Sequence, residues 1–131
     1  MSAILVVDDD PQVLELLSQM LLLEGHTVTR ARNGIEAEQA YEDTEFDLVI
    51  TDLIMPEREG IETIARMRQR TKVMPIIAIS GGGRIGPGDY LQTAAQMGAN
   101  ATLAKPFNRH DLVTIVTELL GTRGAPLSGL C

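Results

Sequence analysis

Ala3-Ile4-Leu5-Val6-Val7-Asp8-Asp9-Asp10-Pro11 is the stretch that decides the fold. Five apolar residues without polar alternation describe a strand covered on both faces. Three consecutive aspartates then stop it, and Asp10-Pro11 supplies a helix cap with a first-turn proline. Val13, Leu14, Leu16, Leu17, Met20, Leu21 and Leu23 follow at helical spacing, and Glu24-Gly25 closes the helix.

The same alternation repeats along the chain. Residues 26–30 alternate polar and apolar, which predicts a strand nearer an edge. Asn33-Gly34 starts a second helix through Ile35, Ala37, Glu38 and Tyr41, and Asp47-Leu48-Val49-Ile50-Thr51 is the third strand. Ile61, Ile64, Ala65 and Met67 mark a third helix whose last turn is basic. Macrodipole compensation accounts for Arg66, Arg68, Arg70 and Lys72 there. Pro75-Ile76-Ile77-Ala78-Ile79 is the fourth strand, with proline tolerated as its first residue. A glycine-rich loop over 81–88 leads to a helix over about 89–97, stopped at Gly98, and 101–104 is a short fifth strand. Asn108, with Asp111 three positions on, caps the last helix, and Gly121 ends it. Residues 1–121 therefore read as one domain and 122–131 as a flexible tail. Strictly alternating strands and helices imply an α/β, doubly wound parallel sheet with right-handed crossovers. Ligands of such sheets lie beyond the carboxyl ends of the strands, near the point where strand order reverses.

Composition excludes several classes. The 131 residues are 44% hydrophobic, too many for a disordered chain, and no apolar run approaches membrane-spanning length. Eighteen acidic against eleven basic side chains give a net charge of −7, which argues against a surface tracking nucleic-acid phosphates. Aromatics are 3%, too few for a base-stacking platform. One cysteine, Cys131, excludes an internal disulfide framework, and with no basic amino-terminal signal the expected location is cytoplasmic. No nucleic-acid and no membrane partner is expected.

The strand ends concentrate the chemistry. The first strand ends in Asp8-Asp9-Asp10, the third in Asp52, the fourth in Ser80 and the fifth in Lys105-Pro106. Helix capping explains Asp10. It does not explain the set, because Asp8 and Asp9 beside Asp52 repel one another unless a cation sits among them. Oxygen donors around a small site suit Mg²⁺ or Mn²⁺. Lys105 and Ser80 would then serve a phosphoryl group bound opposite the metal.

Across about residues 1–121 the chain resembles the receiver domain of two-component response regulators, and specifically a stand-alone, single-domain one. The resemblance rests on four segments in order: Ile4-Leu5-Val6-Val7-Asp8-Asp9, Asp52-Leu53-Ile54-Met55-Pro56 with Gly60, Ile79-Ser80, and Lys105-Pro106-Phe107. It implies a flavodoxin-like (βα)5 fold with a five-stranded sheet in the order 2-1-3-4-5. It also implies that Asp52 is the phosphoacceptor, taking its phosphoryl group from a sensor histidine kinase or a histidine phosphotransfer protein. Asp9, Asp52 and the main-chain carbonyl of Ile54 would hold Mg²⁺, with Asp8 acting partly through water. Lys105 would contact the phosphoryl oxygens, Ser80 would hydrogen-bond one of them, and the bond before Pro106 would be cis. A receiver is not an enzyme in the ordinary sense, although it catalyses its own phosphorylation and dephosphorylation. Its output would pass to a downstream protein, or along a phosphorelay, through the helical stretch at 89–97, the fifth strand and the last helix.

Three features depart from the family pattern. Thr102 stands where receivers often carry Tyr or Phe, and cannot act as an aromatic switch. The loop over 81–88 is longer and richer in glycine than usual, and so could act as a lid or be merely permissive. Ile54 and Gly82 offer no side-chain hydrogen bonds to a hydrolytic water, which predicts slow self-dephosphorylation.

Other readings are weaker. A haloacid-dehalogenase-like phosphatase would use Asp8 and Asp10, but Gln12 stands where Thr or Val is expected. A dinucleotide fingerprint at Gly81, Gly83 and Gly86 lacks the acidic residue that should end the next strand. His26 and His110 have no neighbour at metal-ligand spacing. A degenerate receiver that binds partners without phosphorylation is kept open by Thr102 and disfavoured by the complete set of chemical residues.

Overall fold

The apolar runs become strands whose alternate residues feed two separate cores. A computed structural model describes residues 2–52, 59–71, 74–80, 98–104 and 107–123, with backbone alone for 59–61, 80, 122 and 123. Ile54, residues 81–88, the helix expected over 89–97, Lys105, Pro106 and Cys131 lie outside the described residues.

The element order is β1 (Ala3–Val7), α1 (Pro11–Leu23), β2 (Thr27–Ala31), α2 (Gly34–Asp43) and β3 (Leu48–Asp52). There follow α3 (Glu59–Arg70), β4 (Ile76–Ser80), β5 (Ala101–Ala104) and α4 (Arg109–Arg123). All pairings are parallel, in one sheet of order β2-β1-β3-β4-β5. This is the flavodoxin-like order that the resemblance implied.

Leu5, Val7, Val49, Ile76 and Ala78 point to one side, where they meet Ala37 of α2 and Ile64 and Met67 of α3. Ile4, Val6, Leu48, Ile50, Ile77 and Ile79 point to the other, against Leu14, Leu17 and Leu21 of α1 and Leu112 and Val116 of α4. Burial on both faces is why these strands carry no polar alternation. Each of the Val, Leu, Ile and Met side chains among them contributes about 1.5–3 kcal/mol by leaving water. β2, at the edge, exposes Thr27, Thr29 and Arg30, while Ala31 is buried.

The helix ends follow the capping chemistry. Asp10 accepts from the Gln12 amide at 2.9 Å, Asn33 from Glu36 at 2.8 Å and Asn108 from Asp111 at 2.8 Å. Gly25, at φ +91°, lets α1 finish with the Gly25 and His26 amides on the Leu22 and Leu21 carbonyls. The second strand therefore starts at Thr27 rather than His26, whose amide belongs to this cap.

The last helix corrects one expectation. Gly121 does not end it; α4 continues to Arg123. Gly121 has no crowding neighbour within 4 Å and takes no positive φ, and glycine inside a helix costs only about 1 kcal/mol. No helix among the described residues is long and apolar enough to cross a membrane.

Candidate functional site

Strand order reverses between β1 and β3, since β2 lies on one side of β1 and β3 on the other. Val7 pairs with Thr51, so the next residues, Asp8 and Asp52, emerge side by side at the carboxyl end of the sheet. Neighbouring strands are about 4.8 Å apart, which sets the spacing of anything projecting there. One carboxylate oxygen each from Asp8, Asp9 and Asp52 lies within 4.8 Å of the others.

Their surroundings differ. Asp8 is 1% exposed and Asp52 3%, whereas Asp9 faces solvent. The Asp8 amide donates to the Ala31 carbonyl at 3.1 Å, and its Oδ1 accepts from the Asp10 amide at 2.9 Å. That bond fixes the turn out of β1 and holds the buried carboxylate in place. Behind Asp52, the buried Thr51 hydroxyl donates to the Asp52 carbonyl at 3.2 Å. Asp10 is exposed and caps α1, and it is not one of the three carboxylates that cluster.

The donor set fits a hard cation. It is all oxygen, carries up to three negative charges in one small volume and keeps one carboxylate open to solvent. Bringing these charges together without a cation is unfavourable.

The other predicted residues are placed by backbone register. Asp52 pairs with Ile79, so Ser80 is the next residue of β4, and Ser80 pairs with Ala104, the last residue of β5. Lys105 follows Ala104 directly in the chain. The strand that delivers Lys105 thus ends level with Ser80. The Ser80 side chain and all of Lys105, Pro106 and Ile54 are outside the described residues. Thr102 is half-buried on β5 opposite Ala78.

Some structural roles had no local sequence signal. Arg68 donates its Nε to the Gly98 carbonyl at 2.9 Å, reaches the Thr71 carbonyl at 3.3 Å and binds the Asn100 side chain. Arg66 and Arg70 bond Glu38 and Glu42 on α2, each at 3.0 Å, and Arg70 lies 5.8 Å from the centre of the Tyr41 ring. The basic run does more than offset a helix dipole. The matching four-residue spacing of Glu38/Glu42 and Arg66/Arg70 on successive helices was the one sign of it.

The comparisons with known proteins agree with this geometry. A family model for the response regulator receiver domain matches residues 4–117. The transcriptional regulatory protein CpxR homolog of Haemophilus influenzae is 35% identical over 131 residues, covering 99% of this chain and 55% of that protein. Transcription factor SKN7 of Candida albicans is 35% identical over 117 residues, covering 89% of this chain and 20% of that protein. Among solved structures, the response regulator protein TrrA from Thermotoga maritima, in complex with Mg²⁺-BeF, matches with a TM-score of 0.80. Its identity is 34%, over 91% of this chain and 99% of that one. The chain spans about half the length of the first curated relatives it matches.

Proposed function

This chain belongs to the response regulator receiver domain family, and from that premise we propose that Asp52 accepts a phosphoryl group from a phosphohistidine. The donor is a sensor histidine kinase or a histidine phosphotransfer protein. The observation that carries the reading is the convergence of Asp8, Asp9 and Asp52 at the point where strand order reverses.

A carboxylate oxygen of Asp52 attacks phosphorus, the phosphorus–nitrogen bond breaks, and the imidazole leaves with its electron pair. The product is an acyl phosphate on Asp52. Burial holds the nucleophile in one orientation, which removes much of the entropic cost of reaching the reactive geometry. Asp8, Asp9, Asp52 and the main-chain carbonyl of Ile54 would hold Mg²⁺ or Mn²⁺. When bound, that cation supplies charge neutralisation for the phosphoryl oxygens. TrrA in complex with Mg²⁺-BeF supports the choice of cation. The Lys105 ammonium and the Ser80 hydroxyl contact the phosphoryl oxygens as charge develops on them.

The acyl phosphate adds about −1.5 to −2 charges at one point. Thr102, half-buried on β5, provides a small hydroxyl where an aromatic switch would otherwise move. The change is passed on by protein–protein contact at the face of the 89–97 stretch, β5 and the last helix, or by relay to another histidine. We assign no nucleic-acid contact to this domain, because its net charge of −7 repels a phosphate backbone.

The test is labelling. The chain is incubated with acetyl phosphate and Mg²⁺, trapped with borohydride and mapped by peptide mass spectrometry. Label is expected on Asp52; label on Asp8 would transfer the reading to a phosphatase-like nucleophile.

A further inference from the structure

β5 is four residues long and all four are half-buried: Ala101 and Leu103 lean on the core beneath α1 and α4 without being sealed in it. The register of such a strand is weakly specified by its own side chains. A slip of one residue would move its end by about 3.3 Å. That end carries Ala104 and, directly after it, Lys105.

The holding contacts lie at the other end of the strand. The Asn100 amide donates to the Ile76 carbonyl at 2.8 Å, and the Asn100 Oδ1 accepts the Ile76 amide at 2.9 Å. One residue thus satisfies both backbone groups of the first residue of β4. The same Oδ1 also accepts from the Arg68 guanidinium, whose Nε holds the Gly98 carbonyl at 2.9 Å. Gly98 is at φ +118°, and a Cβ there would stand 2.9 Å from the Arg68 Cγ. The end of α3, the approach to β5 and the start of β4 are therefore locked by one planar fork and one amide.

We propose that Arg68 and Asn100 are positioning residues for phosphoryl transfer, pinning the register of β5 on β4 and so holding Ala104, the residue before Lys105 in the chain, level with Ser80. This rests on the reading of Ser80 and Lys105 as phosphoryl contacts. Arg68 and Asn100 are at the opposite end of the sheet from the aspartates and touch no reacting group. Asp8, Asp9 and Asp52 stand on or beside β1 and β3, which the pin does not hold.

The test uses the full chain, acetyl phosphate as donor, and two readouts: the rate of Asp52 labelling, and Mg²⁺ affinity measured separately. In Asn100→Ala and Arg68→Lys the labelling rate is expected to fall at least about tenfold, since misplacement by an ångström can cost more. Mg²⁺ affinity should stay at the wild-type value. Lysine keeps the charge and the stem but not the fork that bridges Gly98 and Asn100, so the folded variant separates positioning from folding. Asn100→Asp retains the accepting oxygen and should restore the rate. Wild-type labelling in Asn100→Ala, or Mg²⁺ affinity falling in step with the rate, would overturn the proposal. If the wild-type chain takes no label on Asp52, the phosphoacceptor reading fails by itself. Amide exchange at Leu103 and Ala104 then still tests the pin: faster exchange in Asn100→Ala supports it, and unchanged exchange sinks it.

Discussion

At the carboxyl end of the sheet Asp8, Asp9 and Asp52 bring oxygens within 4.8 Å of one another, while at the amino end polar groups meet donors of opposite character. There Asp47 accepts from the Ala3 amide at 2.8 Å and donates its own amide to the Ala3 carbonyl at 2.7 Å. Arg68 closes on carbonyls, and Arg70 on Glu42. The amino end is arranged for stability, since these groups are satisfied where they stand. The carboxyl end gathers like charges that gain nothing from each other, which is the pattern expected where local stability is given up for chemistry.

The most direct way to break this comparison is Asp52→Asn. Labelling by acetyl phosphate should vanish. In the presence of EDTA the variant should also melt a few degrees above the wild type, because one of three repelling charges is gone. A variant that melts lower in EDTA would show that the cluster is not repulsive. The second test is Mg²⁺ itself. At a hundredfold excess over its dissociation constant, a ligand specific to the folded state adds about 2.7 kcal/mol. Wild type and Asp47→Asn should both gain it, whereas Asp8→Asn and Asp9→Asn should lose most of it. An equal response in all four, followed by calorimetry, would remove the distinction between the two ends.

The third test stays at the amino end and compares two glycines. Gly25 and Gly98 both have positive φ, but a Cβ at Gly25 meets nothing within 4 Å, whereas at Gly98 it meets Arg68. Gly25→Ala should cost about 1–2 kcal/mol from backbone strain alone. Gly98→Ala should cost about 1–3 kcal/mol more from crowding. In an Arg68→Ala background the excess should disappear. Urea denaturation of the wild type, the three single variants and the Gly98→Ala/Arg68→Ala double variant measures this, and an excess that survives loss of Arg68 would assign it to the backbone.

What the sequence revealed, and what it hid, follows the same division. Strands buried on both faces announce themselves as continuous apolar runs, so β1, β3 and β4 were legible to within one residue. The aspartates were legible because Asp8 and Asp9 follow β1 and Asp52 ends β3, and the parallel register then has to bring Asp8 and Asp52 together. Arg68 was not legible, because its partners are thirty and thirty-two residues away and its own surroundings look like any basic helix end. Gly121 misled because glycine near a helix end signals a stop only when it adopts a positive φ, which sequence does not display.

The smallest effect belongs to His26, which sits at the amino end and is the exception to its pattern. Its Nδ1 is the buried side-chain atom without a hydrogen-bond partner among the described residues. Burial lowers its pKa from the ordinary 6.5, against the opposing pull of Glu24 and Asp47. The folded chain therefore binds a proton at His26 less readily than the unfolded chain does. His26 thus contributes its full stability above pH 6.5 and loses it progressively as the pH falls through that value towards the lower folded pKa. Replacing the ring by His26→Gln removes the titration while keeping a polar side chain. The difference in urea midpoint between wild type and variant should consequently shift against the wild type between about pH 7.5 and about pH 5.5. A difference that stays constant over that interval would mean that His26 exchanges its proton as freely in the folded chain as in the unfolded one.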